Sequence, residues 1–168
     1  EFFFRGIMDD VAGNATISTQ SLSSPLQDQT VPTFTSISSS NADKAYKEGD
    51  NVLVTITISE IVGVTLIPKL TLETGTSDGT AAYSSGTGSP NLVFTYVVAS
   101  EHASSDLGYI TTSAFSLDIG TIRDVAGNDL DLTSLPTAGA TNSLSNNKAI
   151  VIDTKLPSVN LIFDDPDT

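Results

Sequence analysis

Twenty carboxylates, one imidazole and no thiol bound the chemistry open to this chain of 168 residues. Such a set suits a hard cation: calcium takes about six to eight oxygens from carboxylates, amide carbonyls and backbone carbonyls. The acids that sit between predicted strands fall into two groups. Asp28, the loop starting at Glu60 and the turn Asp124–Asn128 are expected at the end where the chain enters, so Asp28, Glu60, Asp124 and Asn128 form one candidate site. Asp43, Glu48, Asp50, Asp106 and the outgoing Asp153 are expected at the opposite end, with Asp153 serving the next unit as Asp28 serves this one. Carboxylates crowded in this way repel one another until a cation arrives. Asp and Asn in turns also hydrogen-bond their own backbone with no metal, and a Gly127 with positive φ would make Asp124–Asn128 a turn and nothing more.

Catalytic signals are scarce. A serine–histidine–aspartate arrangement would need His102 as its base, but His102 lies in the polar stretch Ser100-Glu101-His102-Ala103-Ser104, and no Gly-x-Ser-x-Gly elbow exists. It reads as an exposed loop histidine. A carboxylate pair for glycoside hydrolysis would need a sugar cleft, and Trp is missing while most Phe and Tyr fall at core-facing strand positions. The glycine-rich stretch Gly75–Gly88 lacks the Gly-Lys-Ser/Thr ending of a phosphate loop, and Asp129-Leu130-Asp131 lacks the Gly and distal Glu of an EF-hand. Asn14-Ala15-Thr16 is a formal glycosylation sequon and reads as incidental. The expectation is a protein that is not an enzyme.

The elements that must position the acids are strands. Val52, Val54, Ile56 and Ile58 alternate with Leu53, Thr55, Thr57 and Ser59, and the same period of two recurs in Leu70–Glu73 and Leu92–Val97. Shorter strands are predicted at Phe34–Ser38, Thr80–Ser84, Phe115–Asp118 and Lys148–Ile152, with turns between them. No dozen residues carry a helical pattern. About seven short strands so spaced predict an all-β, two-sheet Greek-key sandwich. With 22 Ser, 22 Thr and a net charge of −13, the chain would repel phosphate backbones, so no nucleic-acid partner is expected. Apolar runs are broken every few residues, so no membrane insertion is expected either. The absence of Cys excludes a disulfide framework and leaves the compartment open.

An internal repeat sets the boundaries. Gly6–Asn14 aligns with Gly120–Asn128, 114 positions later, and Asp28–Phe34 aligns with Asp153–Val159, 125 positions later. The chain is therefore expected to be cut out of phase from a tandem array. Residues 1–28 are the tail of one unit, 29–153 a complete unit, and 154–168 the start of a third or a linker. About 120 residues can bury roughly two thirds of their unfolded surface, enough for an independent core.

The blocks Asn41–Asp50, Ile58-Ser59-Glu60, Leu70–Gly75, Ser104–Leu107, Asp124–Asn128 and Ala149–Pro157 together resemble the bacterial immunoglobulin-like repeats of very large secreted or surface-anchored adhesins. The resemblance implies a sandwich, an extracellular or bacterial cell-surface location and calcium at the junctions between repeats, with no catalysis. Lys155 and Leu156 replace the small residues usual before the linker proline, which implies a differently packed second junction. The function expected is a rigid spacer in a fibre, whose partners are adjacent repeats of the same chain. Two alternatives stand beside it. Tyr46, Tyr83 and Tyr109 are candidates for an exposed aromatic cluster that would recognise carbohydrate or a host protein. Residues 1–28, with Phe2-Phe3-Phe4, are either a cut fragment or a strand donated to a neighbouring chain.

Overall fold

The computed structural model describes residues 3–9, 15–21 and 28–159, with side chains from Asp28 onward. The Phe2-Phe3-Phe4 side chains, residues 10–14 and residues 160–168 of the expected third unit lie outside the described residues. Strands β1 (Phe3–Asp9) and β2 (Ala15–Ser21) pair antiparallel, closing at Asp9 opposite Ala15. The bridge between Arg123 and Asp129 lies 114 positions later at both partners, so the two hairpins share one register.

Among the described residues from Asp28 on, the regular structure is all β apart from a 3-10 turn (Leu132–Ser134) and a four-residue helix α1 (Leu144–Asn147). The larger sheet holds β3 (Phe34–Ser39), β5 (Asn51–Thr65), β6 (Lys69–Leu72), β7 (Gly79–Ser85), β8 (Ser89–Val97), β10 (Phe115–Ser116) and β11 (Thr121–Asp124), in the order β10-β6-β7-β8-β5-β11 with β3 also on β5. A smaller sheet orders β4 (Ala45–Tyr46), β12 (Val151–Asp153) and β9 (Ala103–Ser104) as β4-β12-β9, with β4 parallel to β12. Side chains of both sheets share one core: Ile37, Val54, Ile56, Leu70, Leu92 and Phe94 from the larger meet Tyr46 and Ile152 from the smaller. Phe115 stands edge-on to Phe34 and Phe94, at centroid distances of 5.0 and 5.7 Å, in the geometry aromatic quadrupoles favour. The sandwich-like architecture is thus the one the alternation predicts. The strand count exceeds seven because β4 and β9 are too short to show a period and β11 has an acid, Asp124, at one of its two buried positions.

Strand β5 is the spine. Its even-numbered residues face inward without a break: Val52, Val54, Ile56, Ile58 and Val62 are buried, with Glu60 and Val64 between and after them partly buried. One edge of β5 pairs with β8. The other edge takes two strands in succession, β3 against Val54–Ile58, with the Ser59 amide still donating to the Thr33 carbonyl, and β11 against Val62–Thr65, leaving a gap at residues 60–61. Going backward from Phe34, the incoming segment therefore runs toward the Thr65 end of β5. The outgoing β12 runs parallel to β4 and leaves beside the turn that leads into Asn51, the other end of β5.

The Ser85–Ser89 turn requires a left-handed residue, and Gly86 supplies it at φ +111° with no room for a Cβ against the Asn91 carbonyl. Gly86→Ala is expected to cost at least about 1 kcal/mol, read as a lower urea midpoint at unchanged slope.

Candidate metal centre

The gap on β5 is where the acids meet. Asp28, Glu60 and Asp124 each place a carboxylate oxygen so that all three lie within 4.8 Å of one another, and among the described residues no other group of three acids does so. Each reaches that point for a local reason. Glu60 occupies an inward position of β5 between Ile58 and Val62, so it is carried by a strand and not by a loop as the sequence suggested. Asp124 is the last residue of β11, paired with Val62, and is only 8% exposed. Asp28 belongs to the incoming segment, where its Oδ1 accepts the Thr30 amide at 2.9 Å.

The three carboxylates are not equivalent. Asp124 Oδ1 accepts the backbone amides of Gly127 (2.6 Å) and Asn128 (2.8 Å), while its Oδ2 accepts Asn128 Nδ2 (2.7 Å). Burial pushes the Asp124 carboxyl up, but the donors from Asn128, Gly127 and Ala126 outweigh it and hold the group below the usual aspartate range. Glu60 has no such donors. Its Oε1 is buried without a hydrogen-bond partner. Burial first, then the negative charges of Asp124 and Asp28, push its carboxyl above the usual range. A fixed negative charge, an acidic linker oxygen and an unpartnered buried oxygen thus converge in one place.

This donor set fits calcium. Oxygens lie about 2.3–2.6 Å from calcium, so opposite ligands stand about 5 Å apart, which the spacing of the three acids accommodates. Neutralising three converging carboxylates is also what the unpartnered Glu60 oxygen lacks. Asn128 has a positioning part: its Nδ2 also donates to the backbone carbonyls of Asp28 (3.0 Å) and Thr30 (3.1 Å), tying the incoming segment to the Asp124 turn. Its side-chain carbonyl is the atom it has left to offer a cation. The turn reading holds as well, since Gly127 sits at φ +98°.

At the other end the expected acids do not converge. Lys148 Nζ lies 2.9 Å from Asp43 Oδ1 and already supplies a positive charge there. That hydrogen bond leads the causes holding Asp43 below its usual range, while burial and then the Asp43 charge push Asp106 up. Asp50 accepts the Lys47 amide at 3.0 Å, and Asp153 accepts the Lys155 amide at 3.0 Å. Glu48 and Asp153 line one groove without a third acid. Lys148→Met is expected to lower the melting temperature at low ionic strength by a degree or two, with a smaller loss in 1 M salt.

Two sequence expectations are corrected. His102 is not an exposed loop residue: it is 8% exposed, and its Nδ1 lies 2.7 Å from the Tyr96 hydroxyl inside the fold. The flanking serines and glutamate suggested exposure, but the ring stacks on Tyr96. Nor is there an exposed cluster of Tyr46, Tyr83 and Tyr109. Tyr46 and Tyr109 are buried, each donating its hydroxyl to a backbone carbonyl, and Tyr83 packs on Phe94. No helix among the described residues is long and apolar enough to cross a membrane. Comparison with protein-family models, curated proteins and solved structures finds no match.

Proposed function

We propose that this protein is a non-catalytic spacer unit of an extracellular bacterial adhesin or fibre, immunoglobulin-like in fold and arrayed in tandem, and that calcium rigidifies its junctions. The observation that carries the reading is the buried, unpartnered Glu60 oxygen facing Asp124 and an acid of the incoming segment. An ion held there bonds to two strands and to the chain that enters them, so it fixes the angle at which the unit is joined to whatever precedes it. The common register of the β1–β2 and Arg123–Asp129 hairpins supports the tandem arrangement. So do the segment entering β3 and the segment leaving β12, which approach opposite ends of β5. An acidic surface rich in Ser and Thr keeps such a fibre soluble along its length. The partners are neighbouring units of the same chain.

Recognition of carbohydrate or a host protein by this unit loses its support, because two of its three candidate tyrosines are buried. The test of the spacer reading is the melting temperature in calcium, in magnesium and in chelator. A rise of roughly 10 °C in 10 mM calcium, and a much smaller one in magnesium, is expected. Equal values in calcium and chelator would remove the ion from the account.

A further inference from the structure

Asp28 and Asp153 occupy corresponding positions of the repeat, and they share a local structure. Asp28 Oδ1 accepts the Thr30 amide at 2.9 Å, and Asp153 Oδ1 accepts the Lys155 amide at 3.0 Å. Each carboxylate thus closes a turn two residues on. What differs is the body that holds each of them. Asp153 ends β12, where it is paired with Ala103 of β9, and Thr154 Oγ1 donates to the His102 carbonyl at 2.9 Å. The His102 ring is buried and stacked on Tyr96, which fixes that carbonyl within the fold. Asp28 instead reaches forward. Its carboxylate joins Glu60 and Asp124, its carbonyl and that of Thr30 accept Asn128 Nδ2, and the Pro32 carbonyl accepts the Asp131 amide at 2.9 Å.

In a tandem array both sets of contacts fall on one stretch of chain. The preceding unit grips Asp153 and Thr154 through β9 and His102. The next unit grips the Asp153 carboxylate and the carbonyls of Asp153, Lys155 and Pro157. No residue lies between the two grips, so the junction has no free linker. The Asp153 side chain is exposed at the end of its strand, where a following unit can reach it.

We infer that each calcium site is finished by the last strand of the preceding unit: Asp153 is a strand residue of one unit and an ion ligand of the next, so the fold of the first sets the affinity of the second. The inference rests on the spacer reading and supplies the regulation of its site. A carboxylate already fixed by β12 binds the ion without the cost of ordering its own residue, a gain of about tenfold in affinity. Such coupling is reciprocal, so an ion bound in the next unit tightens β12 of the preceding one.

Joining residues 1–157 directly to residues 33–168 gives a pair with one cluster of each kind. The first uses Asp28, with no whole unit ahead of it, and the second uses Asp153 in the place of Asp28. Asp124→Asn in one copy at a time isolates the other cluster, whose calcium midpoint is read from the amide resonances of its Asp124–Asn128 turn. The second midpoint is expected about tenfold below the first. Calcium in the second copy is also expected to slow amide hydrogen exchange in β12 of the first at least about threefold. Thr154→Val in the first copy keeps the shape of the side chain and removes its bond to His102. It is expected to raise the second midpoint about threefold, the weight of one hydrogen bond, and to leave the first unchanged. Equal midpoints, with exchange in β12 unaffected by calcium, would overturn the inference and leave the spacer reading standing. A pair in which neither cluster binds calcium would remove the ion from that reading, and the inference with it.

Discussion

Asp124→Asn is expected to abolish the proposed calcium response, the apparent affinity falling at least 100-fold and the melting temperature in 10 mM calcium dropping to that in chelator. The residue is the preorganised member of the cluster. Its Oδ1 is held by two backbone amides of its own turn, so asparagine keeps that half of the geometry. The other half fails, because an asparagine NH₂ at the Oδ2 position would confront the Nδ2 of Asn128, donor against donor. The charge that anchors the ion is lost as well. A ligand present at a hundredfold excess over its dissociation constant stabilises the folded state by about 2.7 kcal/mol. For a domain of this size that is worth roughly 10 °C, the shift that should vanish. Acid unfolding supplies a second reading. Asp124 is held below the usual aspartate range, so its contribution is present above the unfolded value near 4 and is lost as pH falls through the lower folded value. The variant should show a flatter acid limb there.

Glu60→Gln has the opposite effect without calcium. A carboxyl whose folded pKa is raised binds its proton more tightly in the folded state. Stability is then greatest below the ordinary glutamate value and is lost as pH rises through the raised one. At pH 7 the charged form of Glu60 is disfavoured in the metal-free protein, because one of its oxygens is buried without a partner beside two like charges, and glutamine of the same shape relieves that burden. The melting temperature of Glu60→Gln in chelator at pH 7 is therefore expected to exceed that of the parent by a few degrees, with the gap closing toward pH 4. In 10 mM calcium the order inverts, because only the parent gains the ion. A glutamate that merely closed a structural network would give a variant that is less stable in both conditions.

These two residues also show what could be read without coordinates. Apart from β11, the strands of the larger sheet follow from the sequence, and Asp28, Glu60, Asp124 and Asn128 belong together because a sandwich clusters the segments that carry them at the end where the chain enters. What the sequence hid was the reason they meet. Glu60 continues the inward series Val52, Val54, Ile56, Ile58 into Val62, so a period-two reading carried two residues further would have flagged a carboxylate at a core position. Alternation appeared to end at Ser59 because a charged residue breaks the apolar pattern. Strand β11 was obscured in the same way: its inward residues are Ile122 and Asp124, one apolar and one acidic. At the exit the acids are present but Lys148, four residues before Ile152, reaches Asp43, and no pattern of carboxylates alone could reveal a lysine brought back from more than a hundred positions away. His102 and Tyr46 escape such a reading because very short elements carry no period: Tyr46 lies in the two-residue β4, and His102 directly precedes the two-residue β9.

The most direct measurement is the heat of calcium titrated into the 168-residue chain at pH 7, continued to several millimolar because extracellular calcium modules can bind with dissociation constants of about 10⁻⁴–10⁻³ M. A saturable isotherm for the acidic cluster, lost in Asp124→Asn, is the predicted result. A flat trace over that range, or an isotherm that Asp124→Asn leaves untouched, would contradict it.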